Sequence, residues 1–456
     1  MNVMINKKQG LTRLTGRIVV PGDPDYNQAR MEFNKRISKF PRVIVFCKRT
    51  QDVVNAVKWA RENRVPIRVR SGRHSYEGFS VMNGAIVIDV SQMNRIRIDS
   101  KQKLAKIQTG NQLQRVYRTL WQKRVTIPAG TAPDVGIAGL TLGGGIGLLS
   151  RKYGLTLDNL KEVEMVVPHG RFGAKIIRCN AREHADLFWA CRGGGGGNFG
   201  VATSFTFKVH PISTVAIYSI TWKWKDLEKV FNVWQKWALS VDNRLTSTIQ
   251  MFSKQVGTVE STGQFLGSAS ELRRMIQPLL RASTPLKVRV KTVPFIEATK
   301  FFAQIDIGLL PKFKVTGGYA YRAVPKEGIR TIKRFLANPP NKHANVECQS
   351  LGGAVARVSP TATAYVHRHA KVIFELSARW RLNQEQKRNI TWVESFRRAM
   401  TPFLIGDYVN FPDLEFKNWP RAYYRNNFNR LTKIKRKYDP LNVFHFQQSI
   451  PPAKNR

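Results

Sequence analysis

The chain has 456 residues, with 75 Lys+Arg against 30 Asp+Glu and a formal net charge of +45. Its 42% hydrophobic and 10% aromatic content supplies a sizeable core, which excludes disorder despite the charge. The length suggests two or three domains at about 150 residues each, no run reaches the roughly 18 uncharged apolar residues of a membrane helix, and the charge makes contact with polyanions easy.

Residues 1–36 read as a lead-in, and MNVMINKKQGLTRLTGR has no apolar stretch of the secretory type. RVIVFC (42–47) reads as a short buried strand. Thr50 can cap a helix from Gln51 to about Asn63, with Val53, Ala56, Val57 and Ala60 on one face. Residues 66–70 return to strand and complete a βαβ unit. The loop SGRHSYEGFS (71–80) leads to strands at 85–90 and 103–109, then a helix over 111–123 with Leu113, Val116, Tyr117 and Leu120 as its stripe. The segment 135–149 holds six glycines in 15 residues and reads as packed and turn-rich. A strand at 163–168, a helix over 183–191, the turn RGGGGGNFG and an alternating strand at 201–209 follow. After His210-Pro211 the texture changes. Amphipathic helices over 226–238 and 269–280 and a strand over 371–380 mark a second domain, 212–400, without glycine-rich loops. The last segment, 401–456, clusters Tyr, Asn and Phe. None of Cys47, Cys179, Cys191 and Cys348 stands in a CxxC pair, so buried thiols are expected rather than bridges or structural zinc.

Gly195-x-Gly197-x-x-Gly200 has the dinucleotide spacing, but a strand follows it where that motif needs a helix. Gly143-Gly144-Gly145-Ile146-Gly147 misses the spacing. Successive glycines instead let backbone N–H groups approach a pyrophosphate. Three such loops within about 130 residues favour a large phosphate-bearing cofactor over simple tight turns.

RVRSGRHSYEGFS (68–80), PAGTAPDVGIAGLTLGGGIGLLSRKYGLTLDNL (128–160) and DLFWACRGGGGGNFGVATSFTF (186–207) resemble the FAD-linked oxidases of the berberine bridge enzyme type, within the vanillyl-alcohol oxidase/p-cresol methylhydroxylase superfamily. YVNFPDLEF (408–416) and AYYRNNFNRLTKIKRKYDPLNVFHFQQSI (422–450) resemble that family's terminal segment. The likeness is nearest to bacterial, Bacillus-like members.

The resemblance implies roles. His74 stands where the family attaches the flavin 8α-methyl group, chemistry that suits a nucleophilic imidazole. Arg70, Ser71, Gly72 and Ser75 would line the pyrophosphate. Arg73 replaces a usual glycine and would reach the pyrophosphate, point outward or strain the loop. Val135, Gly136, Gly139, Leu140, Gly143, Gly144, Gly145, Gly147, Asp158, Asn159, Gly197, Asn198, Phe199, Gly200, Val201, Asn442 and Phe444 complete the implied cofactor set. Ala132 replaces the cysteine that makes a second flavin bond in many members, so attachment through His74 alone is expected. Val135 is either an oxygen-admitting residue or a core valine. Tyr153 and Tyr408 match tyrosines that form the proton-accepting pair, or else pack as amphipathic rings. Asn410 would share a strand face with Tyr408. Glu375 is either a further base or a partner in a salt bridge. Arg425 replaces a second usual glycine.

The expected fold is α+β. An FAD-binding domain of the PCMH type with two sub-sheets spans 37–211, and a substrate domain with an antiparallel sheet backed by helices spans 212–400. The segment 401–456 returns to the first domain. The expected function is an FAD-dependent oxidase of an alcohol, sugar or related C–H carbon, with O₂ as acceptor and H₂O₂ as product. A dehydrogenase with another acceptor, and a basic spore-coat protein with a vestigial flavin site, are the alternatives. The implied location is the cytoplasm, or a polyanionic surface such as a coat. No nucleic-acid module, metal site or membrane span is read from the sequence.

Overall fold

The computed structural model describes residues 10–303 and 310–454. The first nine residues of the lead-in and the last two of the chain lie outside them. The lead-in is not separate from the first domain: β1 (Arg17–Val19) pairs antiparallel with β2 (Val43–Phe46), and α1 (Tyr26–Ala29) follows it. Helix α2 (Thr50–Glu62) begins one residue earlier than the sequence suggests. Its cap is Asp52, whose Oδ2 accepts from the N–H groups of Lys48 and Arg49, while Thr50 Oγ1 donates to Glu164. β3 (Ile67–Arg70) and β4 (Ile86–Asp89) pair in parallel, and the first sheet runs β1-β2-β4-β3. The residues of β2 and β4 are apolar on both faces except for the terminal Asp89, as parallel strands covered on both sides require.

β5 (Ile96–Asp99), β6 (Leu104–Gln108) and α3 (Leu113–Trp121) come next, then the two-residue β7 (Val125–Thr126). The glycine-rich segment is not all turn, because α4 (Ile137–Gly143) and α5 (Ser150–Tyr153) form within and just after it. β8 (Leu160–His169), β9 (Gly173–Asn180), α6 (Ala185–Cys191) and β10 (Val201–Lys208) complete a second sheet of order β5-β6-β10-β8-β9. β11 (His210–Pro211) closes a small ribbon with β7.

The second half is built on β12 (Thr214–Lys223), followed by α7 (Leu227–Ser240), β13 (Leu245–Phe252) and β14 (Thr258–Phe265). The stretch 269–280 is two helices, α8 (Ala269–Met275) and α9 (Gln277–Ala282). Pro278 lacks the N–H to continue the first and fits the first turn of the second. β15 (Lys287–Pro294), α10 (Phe295–Phe302), β16 (Lys312–Ala320), α11 (Lys326–Ala337), β17 (Asn345–Ser350), β18 (Val372–Trp380) and α12 (Gln386–Met400) follow. The seven strands form one antiparallel sheet, β15-β12-β14-β13-β17-β18-β16. One face buries Trp222, Met251, Val259, Phe374 and Leu376 under helices α7, α8, α11 and α12. The other face turns toward the first two sheets.

α13 (Trp419–Tyr424) and α14 (Phe428–Tyr438) bring the chain back, and Leu431, Ile434 and Tyr438 join the core of the second sheet. All four cysteines are buried and unpaired. No helix among the described residues is long and apolar enough to cross a membrane.

Candidate active site

Where the first two sheets and the open face of the seven-stranded sheet meet, they enclose a cavity of about 1020 Å³. Loop 71–75 forms one wall. Gly72 lies against Gly136, where an added Cβ would sit 2.2 Å from the Gly136 nitrogen, so the two loops meet backbone to backbone. Among the described residues, the N–H groups of Gly72, Arg73, His74 and Ser75 find no acceptor within the chain. A run of free N–H groups facing a cavity is a nest for an anion such as a pyrophosphate. Gly139, Gly196 and Gly197 also line the cavity, and a Cβ at Gly139 would meet no protein atom within 4 Å. Side chains there would project into the volume a ligand needs. Val135, Gly136, Leu140, Asn198, Gly200 and Phe444 line it too.

Arginines are used differently from the expectation. The side chain of Arg70 is fully buried and bonded to Asp89, Glu32 and the Ala29 carbonyl, so only its backbone faces the cavity. Arg73 does adopt a positive φ of 63° and points away, toward the Gln28 carbonyl and Asp89. Arg425 also has a positive φ, 46°, which explains the glycine usual there. Its guanidinium lies over the Tyr321 ring at 5.1 Å, outside the cavity.

His74 lines the cavity with its ring stacked on Phe33 at 3.8 Å and Nε2 3.2 Å from Asp134 Oδ2. Burial raises the Asp134 carboxyl, but the contact with His74 outweighs it and holds the group below the ordinary carboxylate range. Asp134 had no signal in the sequence beyond its position in a recognised motif.

The polar centre gathers around Tyr408. Its Oη accepts from the Gly145 N–H at 2.8 Å and from Asn410 Nδ2 at 2.9 Å. Burial pushes the phenol up to about 12, opposed by these donors. Asn410 does share the cavity with Tyr408, but not through a strand: residues 408–411 form a turn closed by the Phe411 N–H on the Tyr408 carbonyl. Glu375 lines the same cavity, directly opposite Glu347 in the β17–β18 register. Burial first, then the Glu347 charge, push Glu375 up to about 7 against the pull of Arg379. Glu375 makes no salt bridge among the described residues. Gln250 donates to Glu347 at 2.7 Å. Tyr76, stacked 5.8 Å from Phe411, closes the group. The signals for Glu347 and Gln250 were the alternation of polar residues along 245–252 and 345–350.

Several expected members are elsewhere. Tyr153 lies outside the cavity and stacks on His210 at 3.9 Å, because α5 turns its ring toward the β7–β11 ribbon. Asp158 is held by Arg368 through two bonds of 2.8 Å, and Asn159 bonds the carbonyls of Tyr153 and Leu155. Phe199 and Val201 are core residues, and Asn442 lies off the lining. Gly143, Gly144, Gly145 and Gly147 do not line the cavity either. A Cβ on Gly143 would sit 2.1 Å from Asn410 Oδ1, and one on Gly144 3.0 Å from the Tyr408 ring. Those two glycines make room for Tyr408 and Asn410.

Residues 41–173 match the FAD binding domain family and 407–451 the family described as berberine and berberine like. An uncharacterized FAD-linked oxidoreductase of Bacillus subtilis (strain 168), YgaK, is 50% identical over 97% of this chain and 98% of its own length. The chain is a berberine bridge enzyme-like FAD-linked oxidoreductase. The aclacinomycin-N/aclacinomycin-A oxidase of Streptomyces galilaeus is 30% identical, covering 92% of this chain and 87% of its own. The structure of Physcomitrella patens BBE-like 1 superposes with a TM-score of 0.92 at 29% identity, covering 98% of this chain and all of that one. The nest at 72–75 and the glycines open to the cavity fit FAD in this oxidoreductase.

Proposed function

We propose that this oxidoreductase is an oxidase that removes hydrogen from a hydroxyl-bearing carbon of a polar small molecule, an alcohol or sugar. Bound FAD would supply the hydride acceptor, with O₂ as the final acceptor and H₂O₂ as the product. The observation that carries the reading is the Tyr408 oxygen, held by two N–H donors in one cavity with Glu375. Burial outweighs the two donors and keeps Tyr408 a neutral phenol near pH 7, so it takes the substrate hydroxyl proton, as hydride leaves the carbon, only by passing its own proton on to Glu375, which is ionised above about 7. Glu375 is the second proton acceptor, and Asn410 orients Tyr408. Val135, small and at the cavity wall, favours access of O₂ over a bulkier acceptor.

His74 is the attachment point for FAD. Asp134 holds Nε2, so Nδ1 is the ring nitrogen left for the flavin bond. Ala132 lines the wall and has no sulfur to offer. Wild-type protein precipitated with acid will keep its yellow colour in the pellet, and His74→Ala will release it to the supernatant. A colourless wild-type pellet refutes the covalent link. A reduced flavin that stays reduced in air refutes the oxidase.

Glu375 accepts a proton only when ionised. Flavin reduction will therefore slow as pH falls below about 7. Glu347→Gln removes a repelling charge and will move that midpoint down, though not to the ordinary carboxylate value, because burial remains. Glu375→Gln will abolish the limb. Stopped-flow reduction across pH 5–9 or so checks both.

A further inference from the structure

β18 presents Ile373, Glu375, Ser377 and Arg379 to the cavity at alternate positions. Glu375 faces Glu347, and Ser377 Oγ donates to Asn345 Oδ1 at 2.6 Å. Arg379 is different. Its guanidinium lies over the Phe313 ring at 5.1 Å, and among the described residues its side chain makes no hydrogen bond or ion pair. Nη1 is shielded from solvent and still has no acceptor. A shielded, charged donor left without a partner is costly. The planar guanidinium fork matches the two oxygens of a carboxylate. The Arg379 charge acts on Tyr76, Glu347 and Glu375, so it belongs to the polar end of the cavity.

The charges at that end do not balance without a further anion. Glu347 and Glu375 stand directly opposite each other, and burial raises both, so near neutral pH the pair holds about one negative charge. Against it stand Arg379 and, at the exposed rim beside His343, Lys342. Glu260, Lys287 and Arg289 also line the cavity, but on strands at least three places from β18 in the sheet. One carboxylate at Arg379 brings the local sum to zero, whereas an ammonium would add to the surplus.

Arg379 is not beside Tyr408. Glu375 and Arg379 are two same-face steps apart on β18, about 13 Å between Cα atoms. From Tyr408 the rings of Phe411, Tyr76 and Phe313 follow one another at 5.1, 5.8 and 5.2 Å, and Arg379 lies beyond the last. A molecule that reaches both ends separates its carboxylate from its reacting hydroxyl.

We propose that Arg379 determines specificity by taking the carboxylate of a hydroxy acid whose oxidised carbon lies several bonds away, at Tyr408 and Glu375. This rests on the oxidase reading for which end reacts, and it narrows the substrate to an alcohol with one remote carboxylate.

Equilibrium dialysis of the anaerobic holoenzyme, with ligand in large excess over flavin, reads binding apart from turnover. The probes are 4-(hydroxymethyl)benzoate, its amide, its isomer mandelate with hydroxyl and carboxylate on neighbouring carbons, and the cation 4-(aminomethyl)benzyl alcohol. 4-(Hydroxymethyl)benzoate will bind about 10–100-fold more tightly than the amide or mandelate, the range for one charge-assisted pair, and the cation will bind least. Arg379→Gln will erase the preference for carboxylate over amide. Arg379→Lys keeps the charge without the fork and will keep part of it. Lys287→Gln/Arg289→Gln will leave it whole. Equal binding of carboxylate and amide refutes the proposal, as does tightest binding of the cation or mandelate binding as tightly as its isomer. Those three results come from the wild-type protein and stand even if the variants do not fold. Survival of the preference in a folded Arg379→Gln protein also refutes it. Loss of the preference in Lys287→Gln/Arg289→Gln makes it a general effect of the +45 charge and refutes it too. Flavin bleaching, followed in the same cells, reports separately. Carboxylate-selective binding without bleaching overturns the reading that places oxidation at Tyr408 and leaves the Arg379 site. Bleaching by the amide as readily as by the carboxylate, with equal binding of the two, does the reverse.

Discussion

Tyr408→Phe will slow flavin reduction by about 10²–10⁴-fold, the range for losing a positioned proton acceptor. The substitution removes one oxygen and keeps the ring, which packs edge-on to Phe411 at 5.1 Å and to Tyr365 at 6.4 Å. Fold and cofactor content should therefore be unchanged. The two N–H donors from Gly145 and Asn410 lose their acceptor, and of the two only Asn410 is at the cavity wall. Asn410→Ala will have a smaller effect of the same sign, because the Gly145 N–H still holds the phenol. Tyr153→Phe will leave the rate within about twofold, since its ring lies against His210 and never meets the cavity. Rapid-mixing reduction of the three variants, each with its flavin content measured, separates the outcomes. Equal losses for Tyr153→Phe and Tyr408→Phe would return the proton to a tyrosine pair and overturn the site drawn from the geometry.

The contrast between those two tyrosines marks how much of the site was legible. Both stand in long recognisable motifs, and motif context alone gave them one role. The difference between them is tertiary. α5 is a single turn that rotates Tyr153 outward, while the turn at 408–411 directs Tyr408 and Asn410 inward. Loop 71–75 was readable as a candidate anion nest because the N–H groups concerned are on successive residues. So was the sheet of the first βαβ unit, because its strands are near in sequence and apolar on both faces. The cavity-lining residues of the second half were not readable. Glu347, Glu375 and Gln250 come together only through the order β13-β17-β18, and strand order across 130 residues leaves no local trace. The glycines at 143 and 144 were legible as necessary but not for the right reason. Sequence shows that a side chain is excluded, and only the structure shows which neighbour excludes it.

Lys314→Met will cost roughly 3–5 kcal/mol of stability, because it strands two buried carboxylates. Lys314 on β16 donates to Glu77 at 2.7 Å and to Asp413 at 2.7 Å, and all three side chains are at most 3% exposed. Glu77 lies three residues beyond His74, and Asp413 five beyond Tyr408. One ammonium thus ties the segment after loop 71–75, the seven-stranded sheet and the terminal segment together. Burial alone would lower the Lys314 value, but the two carboxylates outweigh it and raise it above the ordinary 10.5. A lysine raised on folding contributes its full stability below about 10.5 and loses it only as pH climbs past the raised value, so at neutral pH the contribution is complete. Arg36, 2.8 Å from Glu77, offsets part of the loss on that side, whereas among the described residues Asp413 makes no second ion pair and feels the Arg397 charge only at longer range. Urea unfolding will show the drop, and Lys314→Met combined with Glu77→Gln and Asp413→Asn will recover much of it, since no carboxylate is then left unpaired. Recovery of stability without recovery of flavin reduction would mean that the ammonium also sets the spacing between His74 and Tyr408. Recovery of both would make it a fastener alone. Failure of the triple variant to recover any stability would refute the desolvation argument.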